Sequence, residues 1–331
     1  MDGFIPLLKP PGITSHDVVD FTRCCVGLRR VGHGGTLDPP AAGVLPVAVG
    51  RATRLLEFLL GGVKEYRAEI ILGRSTSTGD SWGAVMEERN GPEPSPEGIE
   101  AILASMVGLR RQRPPMVSAV RSGGRRLYQL AAEGLEVERE ERTIRIYSLD
   151  LVTLASGSER GGKNPRITVD VSCSRGTYVR VLAEEVAERL GWPGHLSFLI
   201  RTRVGPFRHH EALTLEELDC ACRTGRPGGF LHPPGSILNG WPALSISGQT
   251  LERFLAGNRI PTGGPEVHHL PGERSAPIAG EGGGSAEVHE HSGLLAVYDP
   301  GGSLVGVAEQ VATEDGPAIA PRKIFPPLDG A

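Results

Sequence analysis

No stretch of this chain approaches the roughly 20 consecutive apolar residues that a membrane-spanning helix requires. The N-terminus lacks the charged region followed by an apolar one that marks a secretory leader. No membrane role is therefore expected, and the chain reads as cytoplasmic. Cysteine is scarce, with five thiols, an odd number, scattered over 331 residues. That count argues against a disulfide framework and fits reduced thiols. A phosphate-cradling glycine loop, a nucleotide-cofactor signature and any internal repeat are also missing. The pairs His209-His210, Cys220/Cys222, His268-His269 and His289/His291 invite a metal reading, yet none has zinc-site spacing. Neither metal nor cofactor is expected.

A basic excess is lacking too. The formal charge of −4, taken whole, argues against a nucleic-acid partner. Its distribution changes that. Residues 240–331 carry a net −6 and the preceding part a net +2. Residues 101–132 hold Arg110, Arg111, Arg113, Arg121, Arg125 and Arg126 and no acid at all. Such a cluster can neutralise phosphates with salt-sensitive affinity, or it can be a solvated face without a partner. The composition, 39% apolar and 22% charged, is that of a soluble globular protein. The length points to one large domain with an appendage.

Periodicity predicts helices over 15–27, opened by Ser15, and over 51–60, 97–107, 127–134 and 178–190. Strict alternation predicts strands over 65–72, with Tyr66, Ala68, Ile70 and Leu72 on one face, and over 166–174, with Ile167, Val169, Val171 and Cys173. Further strands are predicted over 143–154, 294–298 and 304–311, and a short helix around Leu251, Phe254 and Leu255. Gly and Pro crowd together at 225–240 and mark a break. Residues 262–293, rich in Gly, His and Glu, read as a mobile loop.

The segment Gly32-His33-Gly34-Gly35-Thr36-Leu37-Asp38-Pro39-Pro40-Ala41-Ala42-Gly43 holds one carboxylate in a turn that no regular helix or strand forms. Glycines open backbone conformations closed to other residues, and a residue before proline is pushed toward extended geometry, so Asp38 projects from the turn. Three other segments carry candidate chemistry: Lys64-Glu65-Tyr66-Arg67, Cys173-Ser174-Arg175-Gly176-Thr177-Tyr178-Val179-Arg180, and His195 through Arg203. Each has a plainer reading. Tyr66 and Tyr178 serve equally as core aromatics, Arg180 as a surface helix residue, Leu199 as core and His33 as a turn hydrogen-bonder. Together they suit a task that needs a carboxylate beside an arginine, aromatic faces for an extruded base, and shelter from water.

In order along the chain, these segments resemble the signatures of the TruB family of RNA pseudouridine synthases. The likeness begins at Phe4-Ile5-Pro6-Leu7-Leu8-Lys9-Pro10-Pro11-Gly12-Ile13-Thr14-Ser15, runs through the Asp38 turn to Gly43-Val44-Leu45-Pro46-Val47, and continues over about 240 residues. It implies an α+β fold with a mixed, largely antiparallel central sheet and the active cleft across its middle. Residues 1–238 would form the synthase domain, with a basic RNA-gripping insertion at about 110–142 that contains Pro114-Pro115-Met116 and Arg125-Arg126-Leu127-Tyr128. Residues 239–331 would form a small PUA-like β-rich domain. The resemblance places the catalytic role on Asp38. It gives Tyr66 base stacking and suspected proton acceptance, Tyr178 a base contact, Arg180 the pairing with Asp38, His33 displacement of the nucleotide from its loop, and Leu199 an apolar base contact. It also implies tRNA, through its T arm, as the partner of a monomer that needs no other protein.

The chain departs from the family pattern at Ala42, where the family has Thr, and at Val117, where it has Tyr, which bears on RNA grip rather than on chemistry. Two other readings compete: a relative directed by guide RNA and dependent on partner proteins, and a non-catalytic RNA-binding or tRNA-folding protein.

Overall fold

The structure is a computed structural model that describes residues 1–157, 164–225, 227–270, 293–314 and 316–325. Its larger sheet has nine strands. The main path runs Gly3–Lys9, Ala42–Val49, Gly194–Val204, Lys64–Leu72, Arg166–Cys173, Arg142–Ala155 and Gly108–Gln112. Val31–His33 pairs with Ala42–Val49, and Phe207–Arg208 with Gly194–Val204. One pairing is parallel, between Ala42–Val49 and Gly194–Val204, and the rest are antiparallel. The architecture is thus the α+β, mixed and largely antiparallel one expected. A second sheet of six strands is built from the C-terminal part of the chain.

Burial explains which strands the sequence announces. Along Lys64–Leu72 and Arg166–Cys173 one face is buried under helices Pro96–Ser105 and Val179–Arg189, while Arg67 and Asp170 pair on the other at 2.8 and 2.7 Å. Alternation follows. Gly3–Lys9 and Ala42–Val49 are buried on both faces and show none. Helices Ser15–Val26 and Leu215–Arg223 cover one face, where Ile5, Leu7, Val18, Leu45 and Leu218 cluster. The C-terminal sheet covers the other, with Phe4, Val44, Ala296, Val307 and Phe325 sharing one apolar cluster.

Several expectations need correction. Helix Ser15–Val26 is capped by Thr14 rather than opened by Ser15, and Thr14 and Asp17 satisfy each other's backbone in a capping box. The helix expected over 51–60 starts as a 3₁₀ turn, Gly50–Leu55, and becomes α only at Leu56–Leu60. Arg110 and Arg111 lie in the edge strand Gly108–Gln112, paired with Ile144 and Thr143. The sheet thus takes the first residues of the segment 110–142 as its edge strand. The loop expected over 262–293 is in part a strand. Val267–Leu270, which includes His268 and His269, pairs antiparallel with Ala243–Ile246 because Val267 is buried and the strand edge is open. Residues 271–292 lie outside the described residues.

Candidate active site

The Asp38 turn is tied down on every side. Ser15 Oγ donates to the Leu37 carbonyl (3.1 Å) and accepts from the Leu37 amide (2.8 Å). The Gly12 amide donates to the Pro39 carbonyl at 2.8 Å. Lys9, 1% exposed, donates from Nζ to the carbonyls of Ile13 (2.7 Å), Pro10 (2.9 Å) and Pro39 (3.2 Å). Burial lowers this ammonium from 10.5 to about 8, with the Asp38 charge pulling the other way. Gly43, at φ +113°, lies against the Arg201 backbone, where a Cβ would meet the Arg201 carbonyl oxygen at 2.2 Å. Only glycine fits there.

The carboxylate projects from this rigid turn toward the start of helix Val179–Arg189. Asp38 Oδ2 lies 2.9 Å from Arg180 Nε, an ion-pair distance without the alignment of a hydrogen bond. Arg180 is 4% exposed at its side chain and Asp38 39%, so the guanidinium is fixed within the protein while the carboxylate faces the cleft. Two carbonyls hold Arg180: Nη1 donates to Thr78 (2.9 Å) and Nη2 to Val117 (2.7 Å). The departure at Val117 thus keeps its contribution to the site, which is made by the backbone. Asp80 completes the support. Its Oδ2 lies 3.6 Å from Arg180 Nη1, and its Oδ1 accepts from Thr78 Oγ1 (2.7 Å) and the Trp82 amide (3.0 Å).

The cleft beside Asp38 has a volume of about 880 Å³. Tyr66, Tyr178 and Leu199 all line it. Burial pushes the Tyr66 phenol up to about 12, with the neighbouring Arg201 opposing. Tyr66 therefore holds its proton at neutral pH, and accepting another group's proton requires that it first give up its own. Burial likewise raises Tyr178. Tyr178 occupies the N-cap of its helix but makes no side-chain cap. Gln112 holds it instead: its Oε1 accepts from the Tyr178 amide (2.8 Å) and its Nε2 donates to the Tyr178 carbonyl (3.1 Å). Five cationic side chains line the cleft (Lys64, Arg142, Arg175, Arg180 and Arg201) and Asp38 is the one carboxylate among the lining residues. Such a balance favours a polyanion.

Asp38, Tyr66, Tyr178, Arg180 and Leu199 are thus brought to one place. His33 is not: it sits on the short strand Val31–His33, does not line the cleft, and its Nδ1 has no hydrogen-bond partner. Burial, and then Arg201, lower it below 6.5. The six arginines of 110–126 do not form the acid-free patch their sequence implies. Arg110 pairs with Glu185 (2.8 Å), Arg111 and Arg113 with Glu141 (3.0 and 3.6 Å), and Arg125 with Glu133. Arg126 lies over the Tyr128 ring at 6.0 Å, and Arg121 faces Arg126 across a two-residue β pairing.

Sequence reasoning missed Arg201, Asp80, Gln112, Lys9, Lys64, Arg142 and Arg175. Lys9, Lys64, Arg175 and Arg201 stand inside the quoted segments. The partners of Arg201 and Gln112, and the Arg180 that Asp80 supports, lie too far along the chain for any local signal.

Comparison with known proteins gives consistent results. A family profile described as TruB family pseudouridylate synthase (N terminal domain) matches residues 23–179. A Pelotomaculum thermopropionicum protein named tRNA pseudouridine synthase B is 42% identical over 301 residues, covering 91% of this chain and 92% of that protein. A Symbiobacterium thermophilum protein of the same name is 48% identical over 257 residues, covering 78% and 82%. Among solved structures, a chain of an H/ACA RNP bound to a substrate RNA containing 2′-deoxyuridine superposes with a TM-score of 0.69 at 26% identity, covering 99% of this chain and 86% of that one. A chain of a Cbf5-Nop10-Gar1 complex superposes with a TM-score of 0.69 at 27% identity, covering 98% and 85%.

Proposed function

The chain belongs to the TruB family of pseudouridylate synthases, isomerases that turn uridine into pseudouridine, and we propose that it acts alone on the T-loop uridine of tRNA, conventionally position 55. The observation that carries this is the Asp38–Arg180 pair at 2.9 Å in a cleft lined by two tyrosines and five cations.

The reaction breaks the N1–C1′ bond of uridine and forms a C5–C1′ bond. A proton leaves C5 and one is gained at N1, so atoms and electrons balance without an added reagent. Asp38 supplies the carboxylate against which the glycosidic bond is cleaved, and Arg180 fixes its orientation. Tyr66 and Tyr178 offer faces for the extruded base, where stacking is worth about 1–3 kcal/mol. Leu199 packs against the base, and the phenol of Tyr66 lies on the route of the C5 proton. His33, outside the cleft, acts on the RNA loop from which the uridine is drawn.

The exposed carboxylate favours a site that RNA itself closes, since loops are read by shape and unstacked bases. Residues 1–238 form the catalytic unit and 239–331 a PUA-like module packed on it. The relatives at 42–48% identity are named tRNA pseudouridine synthase B, whereas the chains from the H/ACA RNP and the Cbf5-Nop10-Gar1 complex share 26–27%. That difference favours a protein that acts on tRNA without partner proteins.

The test uses the purified full chain and unmodified T-arm RNA with no other protein. Pseudouridine formed at the T-loop uridine in a single-turnover assay is the expected result. No product, or product only when guide RNA and partner proteins are supplied, rules out the proposal.

A further inference from the structure

We propose that Arg201 is a positioning residue for the chemical step, holding the Asp38 turn in register with the Tyr66 strand. This rests on the functional reading above.

Arg201 is among the largest fully buried side chains of the protein, 0% exposed. A buried guanidinium is costly unless its donors are used. Two of its nitrogens donate to the catalytic turn and the third to the strand that leaves it. Nη2 bonds the Gly35 carbonyl (3.0 Å), Nη1 the Thr36 carbonyl (3.3 Å) and Nε the Val44 carbonyl (2.9 Å). These carbonyls flank Asp38 on both sides, so one planar group grips the entrance and the exit of the loop that carries the carboxylate.

The backbone of the same residue does a second job. Arg201 is in register with Tyr66 on one neighbouring strand and with Gly43 on the other. It is therefore the point where the strand bearing the phenol and the strand leaving the turn meet. The close approach at Gly43 leaves no room for a Cβ, which fixes this junction sterically. No carboxylate pairs with Arg201 among the described residues. Its charge is offset by carbonyl dipoles and by the nearby Tyr66 phenol, which burial and Arg201 itself influence in opposite senses. Lysine keeps the charge but gathers its donors on one nitrogen, which cannot reach three carbonyls each set against a separate nitrogen of the planar fork.

The experiment compares Arg201→Lys with the parent on unmodified T-arm RNA, reading kcat, KM, RNA affinity and thermal melting. Arg203→Lys serves as the neighbour control, because Arg203 pairs with Glu65 at 2.9 Å and does not line the cleft. A misplacement on the order of 1 Å costs about 100-fold. The expected result is a kcat at least about 100-fold lower, with KM and RNA affinity within about 3-fold, and Arg203→Lys near the parent. Arg201→Ala should recover at least about 10-fold in kcat on adding guanidinium ions, which can enter through the cleft that Arg201 lines.

A kcat for Arg201→Lys within about 3-fold of the parent overturns the proposal, as does an equal loss in kcat and RNA affinity. Should Arg201→Lys fail to melt cooperatively, Arg201→Gln gives the same reading, since it removes the buried charge together with the fork that spans the three carbonyls. A near-parental kcat there also overturns the proposal. An inactive parent condemns the functional reading instead, so the two failures are distinct.

Discussion

The cleft and the arginine-rich segment 111–126 both rely on guanidinium groups, yet they use them differently. Arg180 and Arg201 are buried, and their donors are spent mainly on backbone carbonyls. Arg111, Arg113 and Arg125 are 48–69% exposed at the side chain and face glutamates. A buried group bonded to backbone cannot change partner without dismantling the fold. An exposed ion pair is worth only about 0–1 kcal/mol, so a phosphate can replace the glutamate at little cost. Arginine is thus a structural pin in one region and an exchangeable contact in the other. The contrast is open to attack at both ends.

The largest expected effect is at the carboxylate. Asp38→Asn keeps the shape of the turn and removes the charged partner of Arg180. Turnover should fall by at least about 10³-fold while RNA affinity changes by no more than a few-fold. Single-turnover kinetics and filter binding on the same preparation check this. Loss of binding in step with turnover would blur the line between pin and contact. Next comes Arg180→Lys, which keeps a charge near Asp38 but loses the fork shared with the Thr78 and Val117 carbonyls. A kcat loss of about 10²–10³ is expected, the range seen when one fixed donor is removed from a reacting centre. A loss below about 10-fold would mean that charge alone, not the planar fork, orients Asp38.

These residues also show what the sequence could reveal. Asp38, Tyr66, Tyr178 and Arg180 each lie in a short segment whose turn residues or alternation announce it. The contacts that hold them are not announced. Arg201 reaches carbonyls 157–166 residues away, Arg180 reaches Thr78 across 102, and Gln112 reaches Tyr178 across 66. No local period encodes such contacts. The same limit hid strands Gly3–Lys9 and Ala42–Val49, whose two covered faces erase alternation, and it made the arginine run look free of acids. Glu133, Glu141 and Glu185 reach it only once the chain has folded.

A smaller effect tests the pin by pH. Lys9 titrates near 8 in the folded protein against 10.5 unfolded. Between those values the unfolded chain binds more protons, so stability from this group rises with pH; the cost of its buried charge is fully present below pH 8. Unfolding free energies of the parent and of Lys9→Met are to be compared at pH 7 and pH 9.5. The parent should gain about 1–2 kcal/mol on the variant over that interval. At both pH values Lys9→Met should be the less stable, because three carbonyls lose their donor. A parent that loses ground as pH rises would mean that the ammonium form is favoured there.

The smallest effect lies at the exposed end. Arg125→Ala removes one cation for which a tRNA phosphate would have to displace Glu133, and Glu133→Gln removes that competitor. The first should weaken tRNA binding by a few-fold and reduce the slope of log affinity against log salt by about 0.7–0.9, the share of one phosphate contact. The second should strengthen binding by no more than about 3-fold, since breaking an exposed pair costs so little. Neither should alter kcat. Binding titrations at three salt concentrations, with kcat at saturating RNA, separate these outcomes. If Arg125→Ala lowers kcat while leaving the salt slope untouched, its guanidinium belongs with Arg180 and Arg201 as a pin, and exposure is the wrong criterion for dividing the two regions. If the slope falls and kcat holds, the same side chain has been shown in two separate uses, and the depth at which it sits decides between them.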